Sequence, residues 1–246
     1  MFLYFPAIFQ SFLFALILEV MFFYKGFFWV VLLFFLIFSV ATYRLTTKTW
    51  KGIFIGIVFF SSIWTILHLI DYDIEKQIFI LISTLVNYFL FFGVYRVSTK
   101  SDSRTAKAVV SMSLMAIVFL FFAATYGIYL NFDVSAWALM FFYFIGIAVL
   151  SHQYFSLIGV VKEELIFLYS LVLGFVSLEM AWVVNFWPFG YLTTGVVLLM
   201  FYYVIWDLVQ NYFLNIISIK KVVVNLIFFL VASSIVLYSS IWLPNI

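Results

Sequence analysis

Residues 165–186 read LIFLYSLVLGFVSLEMAWVVNF. One glutamate, Glu179, is the only charged side chain in the run. A membrane-spanning helix needs roughly 20 mostly apolar residues, and this stretch supplies them. A spanning barrel strand would alternate apolar and polar residues. Neither this run nor VVLLFFLIF at 30–38 does so. A helix closes its own backbone hydrogen bonds, which lipid cannot satisfy.

The same reading repeats along the chain. It predicts spans near 3–23, 27–43, 53–70, 77–95, 108–130, 137–158, 165–186, 190–213 and 222–240. The expected fold is therefore an all-α, polytopic transmembrane bundle of about nine spans, with residues 1–246 as one integral-membrane domain. Composition agrees. Of 246 residues, 68% are hydrophobic and only 9% charged, with a mean hydropathy of +1.26. Soluble domains are nearer half apolar and a quarter charged, so the solvent for this chain is a bilayer. Turn residues mark the breaks: YKG at 24–26, DYD at 71–73, NFD at 131–133 and NFWPFG at 185–190. Pro188 and Gly190 make the last of these the sharpest.

Charge sets the direction. Alternate loops and their flanks hold Arg44, Lys48 and Lys51, then Arg96, Lys100, Arg104 and Lys107, then Lys162, then Lys220 and Lys221. These are ten of the 12 basic residues. The opposite loops hold Lys25 and Lys76. Basic loops stay in the cytoplasm, which places the N-terminus inside and the C-terminus outside, in the cytoplasmic membrane. MFLYFPAIF at 1–9 lacks a positive leading region, and no small-residue cleavage site follows. The first span is expected to stay in place.

Five ionisable side chains fall within or near spans: Glu19, His68, His152, Glu179 and Asp207. A charge near the bilayer centre costs several kcal/mol and usually faces the bundle or a water cavity. Glu19, His68 and Glu179 belong to the outer half. Asp71, Asp73, Glu75 and Asp133 add to an acidic outer rim, which would concentrate cations; the competing reading is a solvated loop. Glu179 has no Lys or Arg between Lys162 and Lys220 to answer it. It is expected to point into the bundle as a neutral acid donating to a polar group on another helix. Desolvation favours the neutral form of a carboxylic acid.

The inner group is His152 with Asp207. Tyr203, Asp207, Gln210 and Asn211 fall on one helical face. His152 and Ser156 share another. The two stripes could face each other with His152 and Asp207 sharing a proton; the simpler reading is hydrogen bonding between helices near their ends. The translocation candidates are thus Glu19, His68, Glu179, His152, Asp207 and Gln210. Gly52 and Gly56, in GIFIG, read as a helix-packing motif.

Several functions lack their chemistry. Cysteine is absent, which excludes disulfides and thiolate metal sites. There is no HExxH, GxSxG or phosphate-binding loop. The two histidines cannot build a His-rich metal centre. No motif specifies a cofactor, and catalysis has no visible machinery. A net charge of +2 argues against nucleic acid. The expected partners are the bilayer and either another membrane protein or further copies of this chain.

Glu179, Trp182 and Pro188, followed by an aromatic-rich helix with FYY at 201–203, resemble a motif in some uncharacterised multi-span bacterial membrane proteins. The resemblance implies that the hairpin of the seventh and eighth spans is the constrained part. It carries no activity. Two functions remain: a small permease or channel for a cation or small solute, or a non-catalytic membrane subunit packing against partners or lipids.

Overall fold

A computed structural model of the chain describes residues 5–23, 37, 40, 44, 51–99, 103–159 and 162–239. These form eight helices and, among the described residues, no strand. They are α1 Phe5–Phe23, α2 Ile53–Leu69, α3 Asp73–Thr99, α4 Arg104–Asn131, α5 Ala136–Ile158, α6 Glu163–Val184, α7 Tyr191–Phe213 and α8 Ile219–Ser239. Seven are long and apolar enough to cross a membrane; α2, at 17 residues, is shorter. The span expected near 27–43 lies almost wholly outside the described residues.

In α3 and α4 hydropathy finds the apolar middle and misses the charged ends. The expected span 77–95 extends to α3 with 27 residues, taking in Asp73, Glu75, Lys76 and Arg96. At about 1.5 Å per residue this is roughly 40 Å, the thickness of a bilayer with its headgroups. Charged end turns can then stand in the wet interface. Serines cap three helix starts: the Ser103, Ser135 and Ser218 hydroxyls accept from the amides of Ala106, Ala138 and Lys221. Each satisfies a donor that the first turn leaves free. The sharp break expected at Pro188 is a turn between α6 and α7. Trp187 N donates to Val184 O at 2.9 Å and Phe189 N to Trp187 O at 2.8 Å.

The helices gather into two compact units, one within Met1–Ile117 with Leu157–Gly159, the other within Val118–Ser156 with Val160–Ile246. In the N-terminal unit, α1 packs along α3. Phe14 of α1 stacks on Phe59 of α2 at 5.8 Å and meets Phe60 edge-on at 6.1 Å. In the C-terminal unit, α7 lies against both α6 and α8. Phe122 meets Tyr143 edge-on at 5.0 Å. The Tyr143 hydroxyl, fully buried, donates to Phe122 O at 2.8 Å.

Lipid tails are as apolar as leucine, so close backbone approach does much of the work of joining membrane helices. Gly174 of α6 provides it: a Cβ there would stand 2.6 Å from Phe144 O of α5. Gly195 of α7 does the same against Ala123 of α4. The expected Gly52–Gly56 motif does not. Gly52 precedes α2 with φ 94°, a left-handed conformation that suits glycine. Gly56 has open space where a Cβ would go. Spacing alone cannot tell a glycine at a contact from one beside a turn.

Candidate functional site: a carboxylate network on α7

Asp207 lies on α7, six residues before its end. Asn211 is one turn later, on the same face. Its side-chain amide donates to Asp207 Oδ2 at 2.6 Å and to Asp207 O at 2.8 Å. The Asn225 amide arrives from α8 and donates to the same Oδ2 at 2.6 Å. Lys221 Nζ, one turn before Asn225, donates to Asn211 Oδ1 at 3.1 Å. The ammonium therefore stands one amide away from the carboxylate. Asn211 and Asn225 are buried and Asp207 is half-buried.

The network continues toward α5. The Tyr154 hydroxyl donates to Gln210 Oε1 at 3.4 Å. The Ser151 and Tyr202 hydroxyls, both buried, share a bond of 3.1 Å. The two expected polar stripes do lie on helices that face each other. The side chains that meet are Ser151 and Tyr154, not His152. The half-buried His152 ring turns to Phe167 of α6, edge-on at 6.4 Å. Asp207 bonds α8 instead, so the expected shared proton with His152 is replaced by two amide donors. The stripe on 203–211 was legible from its spacing. Asn225 was not: in KKVVVNLIFFL only Lys221 stands at helical spacing from it, and that residue reads as a loop charge. That helix reads as purely apolar, yet Asn225 is its one buried side chain among those described.

The remaining candidates stand apart from this cluster. Glu179 is on an exposed face of α6, with no hydrogen-bond partner among the described residues. The expectation that it points into the bundle is corrected. The buried stripe of α6 is Ile166, Ser170, Leu173, Gly174, Ser177, Ala181 and Val184, and Glu179 falls off it. In the N-terminal unit, Glu19 accepts from Gln77 Nε2 of α3 at 3.0 Å. His68 is exposed; its Nδ1 lies 2.9 Å from Trp64 O of its own helix. Asp71, Asp73 and Glu75 are exposed. Asn87 and Ser83, one turn apart on α3, are a buried polar pair the sequence reading passed over. Among the described residues, no three His, Cys, Asp or Glu converge as metal ligands.

Among the described residues, eight apolar helices, seven of them long enough to cross a membrane, define a multi-pass α-helical membrane protein. The chain belongs to a family described as proteins of unknown function, DUF5656, whose model matches residues 60–239. That match takes in the stretch around Glu179, Trp182 and Pro188. No curated protein and no solved structure matches.

Proposed function

We propose that the chain is a small permease or channel for a cation or small solute, with Asp207 as the group that meets the passing charge. On this reading residues 1–246 work as one integral-membrane domain. The observation that supports it is the form of the Asp207 contacts. Both amide donors converge on Oδ2, while Oδ1 has no partner among the described residues. A carboxylate at the centre of a spanning helix costs about 3 kcal/mol by insertion scales, and Asp207, half-buried six residues from the end of α7, bears part of that cost. An amide at 207 would hold the neighbouring helices without that cost. The carboxylate therefore has a use beyond packing, and an acceptor oxygen free to take a proton or cation is that use. Lys221 supplies a resident positive charge nearby. Gln210, held by Tyr154, stands within one turn as a second polar group.

The experiment is flux of protons, sodium and potassium into vesicles holding the purified protein, beside a melting curve. Wild type should pass at least one of these. Asp207→Asn should melt within a few degrees of wild type and lose flux, because the amide keeps the shape and loses the charge. A cooperatively folded wild type that moves none of the three, or an Asp207→Asn variant with full flux, overturns the reading.

One observation favours the other function, a non-catalytic integral-membrane subunit packing against partner proteins or lipids. Val223, Val224, Ile227, Leu230, Val231 and Ile235 of α8 are all exposed. On that reading Asp207 only anchors α8 to α7, and Asp207→Asn is silent in every assay but the melting curve.

A further inference from the structure

Asp207 and Lys221 carry opposite unit charges in one hydrogen-bonded cluster. Asn211 joins them. Its amide nitrogen donates to Asp207 Oδ2 at 2.6 Å, and its amide oxygen accepts from Lys221 Nζ at 3.1 Å. Asn225 adds the second donor to Oδ2. Both asparagines are neutral, so the cluster as a whole has no net charge. Asn211 stands two residues before the end of α7 and Lys221 two after the start of α8. Asp207 lies one turn further in. An ion moving between Asp207 and the α7–α8 turn therefore passes the ammonium. The titratable groups on the other neighbouring helices are turned elsewhere. The His152 ring of α5 meets Phe167, and the Tyr169 ring of α6 packs on Tyr212 and Phe213. On α7 itself Tyr203 is one turn before Asp207, and on α8 Lys220 is exposed.

We infer that the ion meeting Asp207 is a monovalent cation, and that Lys221 is the residue that turns divalent cations away; the inference rests on the permease reading of Asp207. A monovalent cation on the free Oδ1 leaves the cluster with one positive charge. A divalent cation leaves it with two, and charge within a membrane is costly unless it is paired. Calcium also takes roughly six to eight oxygen ligands. Among the described residues Asp207 belongs to no group of three His, Cys, Asp or Glu side chains. The ammonium has a second effect. A conducting site must hold its ion loosely enough to release it. Lys221 offsets the carboxylate charge through Asn211, so Oδ1 holds a cation weakly. Lys221 is a positioning residue in this scheme: it acts on the ion through the charge and geometry of Asp207.

The test compares full-length wild type, Lys221→Gln and Lys221→Arg in vesicles, with gradients of protons, sodium or potassium and with calcium added. Calcium should inhibit the Lys221→Gln flux at about tenfold lower concentration than the wild-type flux, the order expected from removing one partly screened unit charge. Lys221→Arg restores the charge and should restore the weak calcium response. A second measurement needs no flux. A bound ion stabilises the folded state, so calcium should raise the melting temperature of Lys221→Gln more than that of wild type. Adding Asp207→Asn to Lys221→Gln should remove that rise. Equal calcium sensitivity in wild type and Lys221→Gln overturns the inference, as does a melting rise that survives Asp207→Asn. If no vesicle passes an ion but the rise appears and depends on Asp207, the permease reading fails and the preference set by Lys221 stands. Absence of both flux and rise overturns both.

Discussion

Asn225 ties α8 to α7 by a polar bond to Asp207, beside the bond from Lys221 to Asn211, and its removal has a measurable consequence. Asn225→Leu takes one donor from Asp207 Oδ2 and leaves Asn211 as the other. Interhelical bonds of this kind contribute about 0.6–2 kcal/mol in membranes, so the variant should melt several degrees below wild type. The same change made in an Asp207→Leu background should cost less, because the acceptor is already gone. A coupling of at least about 0.5 kcal/mol between the two positions is expected. Additive losses would mean that the bond does not join the helices. Glu179 gives the opposite expectation. It is exposed and makes no bond among the described residues, so Glu179→Leu should shift stability by no more than about 0.5 kcal/mol. The sequence suggested a larger loss, because a lone carboxylate in an apolar run looks buried until the helix is rotated into place.

Helices in this chain are held by close approach at a few positions, and those positions separate two kinds of glycine. Gly174→Ala forces a Cβ toward Phe144 O, a backbone atom that cannot turn aside. Overpacking of this kind costs about 1–3 kcal/mol, readable as a lower melting temperature. Gly56→Ala meets nothing within 4 Å and sits inside α2, where alanine is favoured over glycine by up to about 1 kcal/mol. That variant should be neutral or slightly more stable. Equal losses at the two positions would refute the assignment. GIFIG has the spacing of a glycine packing motif, whereas Gly174 has only a serine, Ser170, at that spacing and Gly195 has no small residue there. A close approach is a property of two helices, and only one of them is visible in any short stretch of sequence.

For the whole molecule, the expectation to test is direction. With basic residues on alternate loops, reporter fusions after residues 104 and 220 should read cytoplasmic, and fusions after 133 and 246 external. A further pair, after Lys25 and after Lys48, should read external and cytoplasmic and so test the span near 27–43. A cytoplasmic C-terminus would refute the nine-span reading. The described contacts suit the alternation within each unit. Late α1 meets early α3 through Glu19 and Gln77. Asp207, late in α7, meets Asn225, early in α8. Both pairs are antiparallel, as an even number of crossings between α1 and α3 and a single hairpin between α7 and α8 require.

Sequence alone determined that this chain is built of helices apolar enough for a membrane, and roughly where each described helix lies. Those properties follow from runs of apolar residues and the placement of turn residues, and each is a local quantity. It also found the polar face of α7, because Tyr203, Asp207, Gln210 and Asn211 repeat at helical spacing. Only the tertiary structure decided which side chains meet: Asn225 and not His152 at Asp207, Gln77 at Glu19, and no partner for Glu179 among the described residues. In a chain that is 68% hydrophobic, the apolar face of a helix cannot say which way it turns, since lipid and protein accept the same residues. Rotation about each helix axis is set by a few close contacts and hydrogen bonds between segments distant in sequence, and these exist only once the helices are side by side.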